Sequence, residues 1–236
     1  MAITGMIYMV TKVFSLTVLI LSWSTVGFDY FQFTQQYQPA VCNSNRIPCK
    51  DPPDKLFTVH GLWPSNWNGH DPSYCKPTNL DPNKIGHLQA QLDIIWPNVY
   101  DRTDNIGFWS KEWEKHGICG STTIQDDVNY FETVINMYIT QKQNVSEILS
   151  KAKIEPEGKT RTRTDILKAI RNGTNGKRPK LKCQKIRRKT ELVEVTLCSD
   201  KNLTQFINCP YPLKPKSSPF KPKSSPYFCP LNFIKY

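Results

Sequence analysis

Eight cysteines restrict the possible folds of this 236-residue sequence more than any other feature. In an oxidising compartment an even set of this size is expected to pair completely, which predicts four disulfides. No two cysteines form a C-x-x-C pair, and the spacings do not match those of zinc ribbons or zinc fingers, so no metal site is expected. The spacing alone leaves the connectivity of the four disulfides open.

The amino terminus has the pattern of a secretory signal. A short start ends at Lys12, an apolar run covers Val13–Trp23, and small residues follow up to Gly27. The apolar run is shorter than the ~18–20 residues of a membrane span. We therefore expect residues 1–27 to be a signal peptide, residues 28–236 to be the mature domain, and the protein to be secreted without a membrane anchor.

Three N-x-[ST] sequons agree with secretion, because asparagine glycosylation occurs on surface segments of secreted proteins. Their asparagines are Asn144, Asn172 and Asn202. Each is therefore a candidate glycosylation site at the surface of the mature domain.

Strand and helix patterns occupy different parts of the mature chain. Three stretches rich in β-branched and aromatic residues predict strands at Phe28–Tyr37, Leu56–His60 and Leu192–Cys198. Two stretches between them have helical periodicity, Gln125–Ile139 and Thr164–Arg171, and Thr164 is the candidate N-cap of the second. Strands, then helices, then strands predict an α+β fold: a central antiparallel sheet with several packed helices in one disulfide-stabilised domain.

The net charge of +11 indicates polyanionic surroundings, such as nucleic acid, anionic glycan or a membrane surface. The charge lies in the second half, since 28–120 contains 8 basic and 10 acidic residues and 121–236 contains 22 and 10. Nine lysines and arginines and no acidic residue fall within Arg171–Lys189. This stretch fits equally a solvated sheet edge protected by lysines and a surface that follows phosphates.

A tandem duplication covers Lys214–Tyr227, with K-P-K-S-S-P-F followed by K-P-K-S-S-P-Y. Proline at this density prevents helix formation and strand pairing. We expect an extended surface loop outside any cleft, tied at its ends by Cys209 and Cys229, with no catalytic role.

Two segments contain residue types that perform acid–base chemistry. They are F-T-V-H-G-L-W-P at Phe57–Pro64 and F-W-S-K-E-W-E-K-H-G-I-C at Phe108–Cys119. On a continuous helix, the second segment would place one carboxylate, one lysine, one histidine and one cysteine on a single face. These four are Glu112, Lys115, His116 and Cys119.

Two imidazoles, one lysine and one carboxylate suit the cleavage of RNA phosphodiesters. One histidine, such as His60 at the end of its predicted strand, and a second, such as His116, can remove the 2′-OH proton and protonate the leaving 5′-oxygen. A lysine can stabilise the charge on the phosphorane. Taken singly, an E-x-x-K-H helix is also common on a solvated face, and H-G is common at strand ends.

The motifs H-G-L-W-P and F-W-x-x-E-W-x-K-H-G-x-C resemble the two signature motifs of the T-two family of secreted ribonucleases. The similarity extends over the mature chain, which the resemblance identifies as a ribonuclease domain, 28–236. It implies a metal-independent endoribonuclease without a cofactor that cleaves single-stranded RNA through 2′,3′-cyclic phosphates. Carried over by motif, His60 is the general acid, His116 the general base, and Glu112 and Lys115 the stabilisers of the transition state.

The resemblance also implies substrate contacts and a disulfide pattern. The substrate-binding residues are Gln36, Trp63, Asn98, Val99 and Phe108. Lys111 is a further phosphate contact, at a position where many family members have histidine. The implied disulfides are Cys42–Cys49, Cys75–Cys119, Cys183–Cys229 and Cys198–Cys209.

Lys111, the basic mature chain and the segment F-T-Q-Q-Y-Q-P-A-V-C are similar to the stylar self-incompatibility ribonucleases of the rose family. This resemblance implies a monomeric pistil determinant of pollen rejection, located in the style extracellular matrix and taken up by pollen tubes. It implies pollen F-box proteins of ubiquitin ligase complexes as partners, and Ser65–Tyr74 as the hypervariable recognition segment. Alternatives are a defence or phosphate-scavenging ribonuclease and a non-catalytic binding protein on the same fold, although the latter predicts the loss of a motif histidine.

Three further residues have weaker interpretations. His70 and His87 match neither motif and are expected at the surface or in local structural roles. Trp67 lies among loop residues, where it can pack locally or remain exposed for a partner; the sequence does not decide between these.

Overall fold

The structure, a computed structural model, describes residues 27–44, 48–210, 229–232 and 234–236. The expected signal peptide, apart from its last residue, and the duplicated segment lie outside these residues. Their interpretations stay predictions.

The described residues form six helices and seven strands, with short 3-10 turns at 86–88, 102–104 and 117–120 and a π-helical turn at 136–140. In chain order the helices and strands are β1 (Tyr30–Tyr37), α1 (Gln38–Cys42), β2 (Phe57–Ser65), α2 (Gln89–Ile95), α3 (Asn105–Lys115), α4 (Asp127–Ile135), α5 (Val145–Lys151), β3 (Thr160–Arg161), α6 (Arg163–Gly173), β4 (Lys180–Ile186), β5 (Lys189–Asp200), β6 (Phe206–Ile207) and β7 (Ile234–Lys235).

The strands form one sheet, and its centre is the antiparallel set β2-β1-β5. Strands β4 and β6 pair with the other edge of β5. The predicted α+β fold and the three predicted strands are confirmed. The one departure from the antiparallel pattern is β7, which runs parallel to β5; the chain re-enters the described structure beside this strand at Cys229, which is bonded to Cys183 of β4.

The two faces of the sheet follow from alternation along β1, because successive side chains of a strand point to opposite faces. Phe31 and Phe33 enter a fully buried core with residues of α2, α3 and α4. A second core joins α5 and α6 to apolar residues of β5, such as Leu192 and Val195. The opposite face of β1 carries Gln32, Thr34 and Gln36, so polar side chains fill one whole side of the central strand.

The four predicted disulfides are confirmed: Cys42–Cys49, Cys75–Cys119, Cys183–Cys229 and Cys198–Cys209. Cys183–Cys229 attaches the carboxyl-terminal residues to β4, and Cys198–Cys209 closes a short loop beside β5. Among the described residues, no helix has both the length and the apolar character needed to cross a membrane.

The predicted cap of α6 was wrong. Thr162, and not Thr164, caps this helix, because Thr162 Oγ1 accepts a hydrogen bond from the backbone of Asp165 while the Asp165 carboxylate accepts one from the backbone of Thr162. This reciprocal capping box satisfies two backbone N–H groups at once, an advantage that Thr164 cannot offer from inside the first turn.

Gln35 generates a stability prediction, because it is fully buried and holds the entry to α5. Its Nε2 donates to Gln143 O at 2.7 Å, and its Oε1 accepts from Val145 N at 2.9 Å. The Gln35→Leu change would leave both backbone groups unpaired and should lower the free energy of unfolding by about 2–4 kcal/mol in urea titrations. The same change at exposed Gln91 of α2 is the matched control; equal small losses for both variants would contradict the prediction.

Candidate active site

A β-bulge presents His60. In the β1–β2 ladder Thr34 pairs with Gly61 and Gln35 with Val59, which leaves His60 as the extra residue of β2. Bulges re-aim side chains in this way, often beside active sites. The buried Trp96 holds the bulge, since its Nε1 donates to His60 O at 2.9 Å.

A second bulge, in β5, presents Glu194. Lys182 of β4 pairs with Glu194 and Cys183 pairs with Leu192, so Val193 is the extra residue. Glu194 Oε1 lies 3.1 Å from His60 Nδ1 and accepts a hydrogen bond from Lys182 Nζ at 2.9 Å. Sequence reasoning missed Glu194; its only signal was a carboxylate inside the otherwise apolar strand L-V-E-V-T-L-C.

Trp63 lies between the two motif histidines. Its ring centroid is 5.1 Å from that of His60 and 5.3 Å from that of His116, and its Nε1 donates to Glu112 Oε2 at 2.8 Å. Gly61 makes this approach possible, because a Cβ there would lie closer than 3.0 Å to both Trp63 Nε1 and Glu112 Oε2. The contact between Trp63 and Glu112 therefore depends on a residue without a side chain.

The prediction that four residues of the second motif share one helical face was partly wrong. Helix α3 ends at Lys115, His116 leaves helical geometry at φ −121°, and Cys119 lies in the following 3-10 turn. The turn remains close to the helix because Cys119 is bonded to Cys75 and because Tyr74 N donates to Lys115 O at 2.9 Å. Within this arrangement Glu112 is buried, His116 is half-buried and Lys115 is exposed.

The two imidazoles have pKa values displaced in opposite directions. Burial, with smaller effects of the charges of Lys115 and His60, lowers the pKa of His116 to about 4. Its Nδ1 is buried without a hydrogen-bond partner among the described residues, so a protonated ring would leave an N–H group unpaired. Burial would also lower the pKa of His60, but the hydrogen bond and charge of Glu194 outweigh burial and raise it.

The carboxylates respond to the same surroundings. Burial raises the pKa of Glu112, against the opposing charge of His60 and the hydrogen bond from Trp63. Burial acts in the same direction on Glu194, but its hydrogen bonds and ion pairs with His60 and Lys182 prevail and lower its pKa. The surroundings therefore favour the charged forms of His60 and Glu194 and the neutral form of His116.

Comparison with known proteins agrees with the geometry. Residues 28–209 match the model of the Ribonuclease T2 family. The chain belongs to this family. Ribonuclease S-6 of Pyrus pyrifolia is 67% identical over the full length of both chains. The crystal structure of Japanese pear S3-RNase has a TM-score of 0.81 at 63% identity, covering 89% of this chain and 100% of that one. Ribonuclease MC1 from bitter gourd seeds has a TM-score of 0.72 at 32% identity, covering 88% and 100%.

The protein is therefore an endoribonuclease of the T2 family with RNA as its substrate, as the two motifs predicted. The structure of this T2 ribonuclease places Trp63 in contact with each of His60, Glu112 and His116. Lys115 lies next to this group and influences the pKa values of both Glu112 and His116.

Besides Trp63, the predicted substrate-binding residues of the T2 ribonuclease lie in three places. Gln36 is buried on β1, where it pairs with Glu194 of β5. Asn98 belongs to the turn before α3, where its Oδ1 accepts from Tyr100 N at 3.2 Å, and the neighbouring Val99 is only 5% exposed. A contact between Val99 and substrate would therefore have to use its backbone.

Helix α3 carries the remaining two of these residues, with Phe108 partly buried against the core and Lys111 exposed. Their roles as substrate contacts of the T2 ribonuclease stay predictions.

The surface residues of the T2 ribonuclease agree with their weaker interpretations. His70 and His87 are exposed. Trp67 shows both of the properties considered for it, because it stacks on Tyr30 with centroids 4.5 Å apart and remains 49% exposed.

Two of the three sequon asparagines are exposed and one is partly exposed. The exposed ones are Asn172 and Asn202. Asn144 caps α5 through its Oδ1, which leaves its Nδ2 available for a glycan. Glycosylation at the three sites stays a prediction.

The pair formed by Glu194 and His60 gives a prediction for the T2 ribonuclease in solution. The Glu194→Gln change removes the charge that contributes most to raising the pKa of His60, while burial and the charge of Lys182 remain and act to lower it against the charge of Glu112. An NMR titration of the imidazoles should therefore show the pKa of His60 falling by about one unit or more, because one unit corresponds to ~1.4 kcal/mol of lost interaction.

The matched control is Glu191→Gln, since Glu191 lies on the same strand but contacts Asn43 and Lys235. An unchanged pKa of His60 in Glu194→Gln, or an equal fall in both variants, would contradict the assignment.

Proposed function

We propose that this endoribonuclease cleaves single-stranded RNA with His116 as the general base and His60 as the general acid, and that it acts as the pistil determinant of gametophytic self-incompatibility. The observation that supports these catalytic roles most strongly is the opposite displacement of the two histidine pKa values on either side of Trp63. Pairs of titratable groups whose surroundings separate their pKa values identify acid and base partners.

Each imidazole then performs one proton transfer. Neutral His116 accepts the proton of the ribose 2′-OH as the 2′-oxygen bonds to phosphorus. His60 donates its proton to the 5′-oxygen as the P–O5′ bond breaks, which leaves a 2′,3′-cyclic phosphate on one product and a free 5′-OH on the other. The reaction needs a 2′-OH, so DNA is not a substrate.

The charge on the phosphorane oxygens is stabilised by Lys115 and Glu112. Lys115 supplies a positive charge at the exposed side of the site. The raised pKa of Glu112 favours its protonated form, which can donate a hydrogen bond to a non-bridging oxygen while Trp63 holds the other carboxyl oxygen.

Glu194 is a positioning residue for His60. Its carboxylate accepts from His60 Nδ1, so the transferable proton resides on Nε2 of the same ring. The cleavage rate should accordingly fall at high pH where His60 loses its proton, and at low pH, near 4, where His116 gains one.

Substitution of the two histidines tests the mechanism. His60→Asn and His116→Asn should each lower kcat for RNA cleavage by about 10²–10⁴-fold, the usual contribution of general acid–base catalysis. The control is His87→Asn, an exposed histidine outside both motifs. Circular dichroism should show all three variants folded, and the wild-type products should include 2′,3′-cyclic phosphates in the presence of EDTA. Activity within tenfold of wild type in both motif variants would refute the mechanism.

Self-incompatibility is supported by the identity with the S-type ribonucleases of Pyrus pyrifolia over the whole chain. By this proposal the protein is secreted into the style matrix, enters pollen tubes and is bound there by pollen F-box proteins. A defence or phosphate-scavenging ribonuclease uses the same chemistry, and expression confined to styles distinguishes the two roles.

Recognition is assigned to the segment Ser65–Tyr74 at the rim of the active site. It begins at the end of β2, two residues after Trp63, and is followed by Cys75, which is bonded to Cys119. Tyr74 is 66% exposed and Trp67 49% exposed, so two aromatic side chains face outward from a segment with rigid ends. Aromatic residues of this kind are common anchors of protein interfaces.

Exchange of residues 66–73 for those of another S-type ribonuclease tests this assignment. The exchange should leave the cleavage of a dinucleoside monophosphate within about twofold, because no hydrogen bond links these residues to the catalytic histidines. It should change which pollen is rejected and which F-box protein binds in pull-down experiments. If cleavage persists but pollen rejection and F-box binding are both unchanged, specificity lies elsewhere on the molecule.

A further inference from the structure

A cavity of about 710 Å³ extends from His60 toward helix α6. Its sheet side is formed by polar residues of the central strands, including Gln32 and Thr196, and by two of the lysines of β4, Lys180 and Lys182. Arg163, Leu167 and Arg171 of α6 also line the cavity. These three are spaced by four residues along α6, so they share one face of the helix. The cavity therefore connects the catalytic histidine with a second surface that the proposed mechanism does not use.

This surface has an excess of positive charge. Five cationic side chains line the cavity against two carboxylates, those of Asp71 and Glu194. Glu194 is paired with Lys182 and His60. Within the part of the chain that the structure describes, no ion pair involves Arg163, Arg171 or Lys180.

Lys180 is partly buried in the wall of the cavity. Its Nζ donates to the neutral amide oxygen of Gln32 at 2.9 Å, and burial lowers its pKa. Asp71 opposes this effect only through its charge, from beyond ion-pair distance. The other described contact of Lys180 is the Tyr30 ring, whose centroid is 6.0 Å from Nζ. A half-buried ammonium with only these neutral contacts favours the arrival of an anion, since charge-assisted contacts are the strong ones in such places.

The structure divides the basic stretch Arg171–Lys189 into two parts. Its first part contributes four cations to the cavity: Arg171, Arg178, Lys180 and Lys182. Its second part, from Lys185 to Lys189, forms the exposed β4–β5 hairpin and contributes none. The interpretation as a solvated sheet edge therefore fits the hairpin, whereas the first part of the stretch lines the same cavity as His60.

We propose that this cavity is a phosphate subsite for the RNA chain, occupied by a phosphate group other than the scissile one and contacted by Arg163, Arg171 and Lys180. The proposal rests on the proposed function only in that His60 marks where the scissile phosphate lies. Leu167, between the two arginines on α6, offers apolar surface to a ribose or a base. RNA that is long enough to enter both sites binds more tightly than a dinucleotide, which has a single phosphate.

Substrate length provides the test. The kcat/KM of wild type, Arg171→Gln and Arg171→Gln/Lys180→Gln would be measured on a dinucleoside monophosphate and on a hexanucleotide at several salt concentrations. The matched control is Arg188→Gln, which removes the same charge from the exposed hairpin. Wild type should prefer the hexanucleotide, and Arg171→Gln should lose about tenfold on the hexanucleotide at low salt, as expected for one charge-assisted contact.

Three further readouts support the subsite if they occur together. The rate on the dinucleotide should stay within twofold of wild type in both cavity variants. The dependence of log KM on log salt should become shallower by ~0.7 for each cation removed from the subsite. A 2′-O-methyl hexanucleotide, which cannot be cleaved, should bind the double variant at least tenfold more weakly than wild type in fluorescence anisotropy.

Other results overturn the proposal. Equal losses in Arg171→Gln and Arg188→Gln would show that only the net charge matters, and equal losses on both substrates would show that Arg171 acts through the fold or the catalytic site. An oligoglutamate peptide and unlabelled RNA would also be compared as competitors of the 2′-O-methyl hexanucleotide. If the peptide displaces it at lower concentrations than the RNA does, the cavity binds an acidic protein segment instead. Failure of wild type to cleave the dinucleotide through a cyclic phosphate would contradict the proposed function instead.

Discussion

The hydrogen bond between Glu194 and His60 joins two strands that are not neighbours. Strands β5 and β2 lie on opposite sides of β1, so their backbones are about 10 Å apart at ordinary strand spacing. One bulge lies at His60 in β2 and the other at Val193 in β5. Together they let the side chains of His60 and Glu194 meet across β1. The opposite displacement of the two imidazole pKa values depends on this contact, because burial acts to lower the pKa of both rings and Glu194 is the main group that opposes it at His60.

A second contact fixes helix α3 to the sheet at the same place. The Trp63 indole donates to Glu112 and separates the two imidazoles, while Trp96 and Tyr130 bond to the backbone carbonyls of His60 and Leu62. Buried indole and phenol groups with a bonded polar end restrict both position and rotation of their neighbours. The active site is thus held by large side chains with few rotatable bonds, and the long side chain of Lys115 is left at its exposed edge.

Local patterns predicted the elements well, and they failed where the backbone departs from regular geometry. Alternation found β1, β2 and β5, but the bulges at His60 and Val193 break alternation and so concealed that Glu194 faces His60. Helical periodicity placed Glu112 and His116 together but could not show that the Cys75–Cys119 disulfide holds a 3-10 turn after Lys115. The signature motifs predicted the side chains that meet around Trp63, whereas Glu194, distant in sequence from both motifs, required the tertiary structure.

The alternation of side chains along a strand also explains why part of the basic stretch Arg171–Lys189 lines the cavity beside His60. Lys180 and Lys182 are two residues apart on β4 and pair with Thr196 and Glu194, so both project to the polar face that carries His60. Within the described residues, no further strand pairs with residues 185–189 of the β4–β5 hairpin, and the cations of the hairpin are exposed to solvent. Pro210 and Cys229, the described residues on either side of the duplicated segment, also line this cavity. The proposed phosphate subsite and the attachment of the carboxyl-terminal residues through Cys183–Cys229 therefore share one edge of the sheet, at β4.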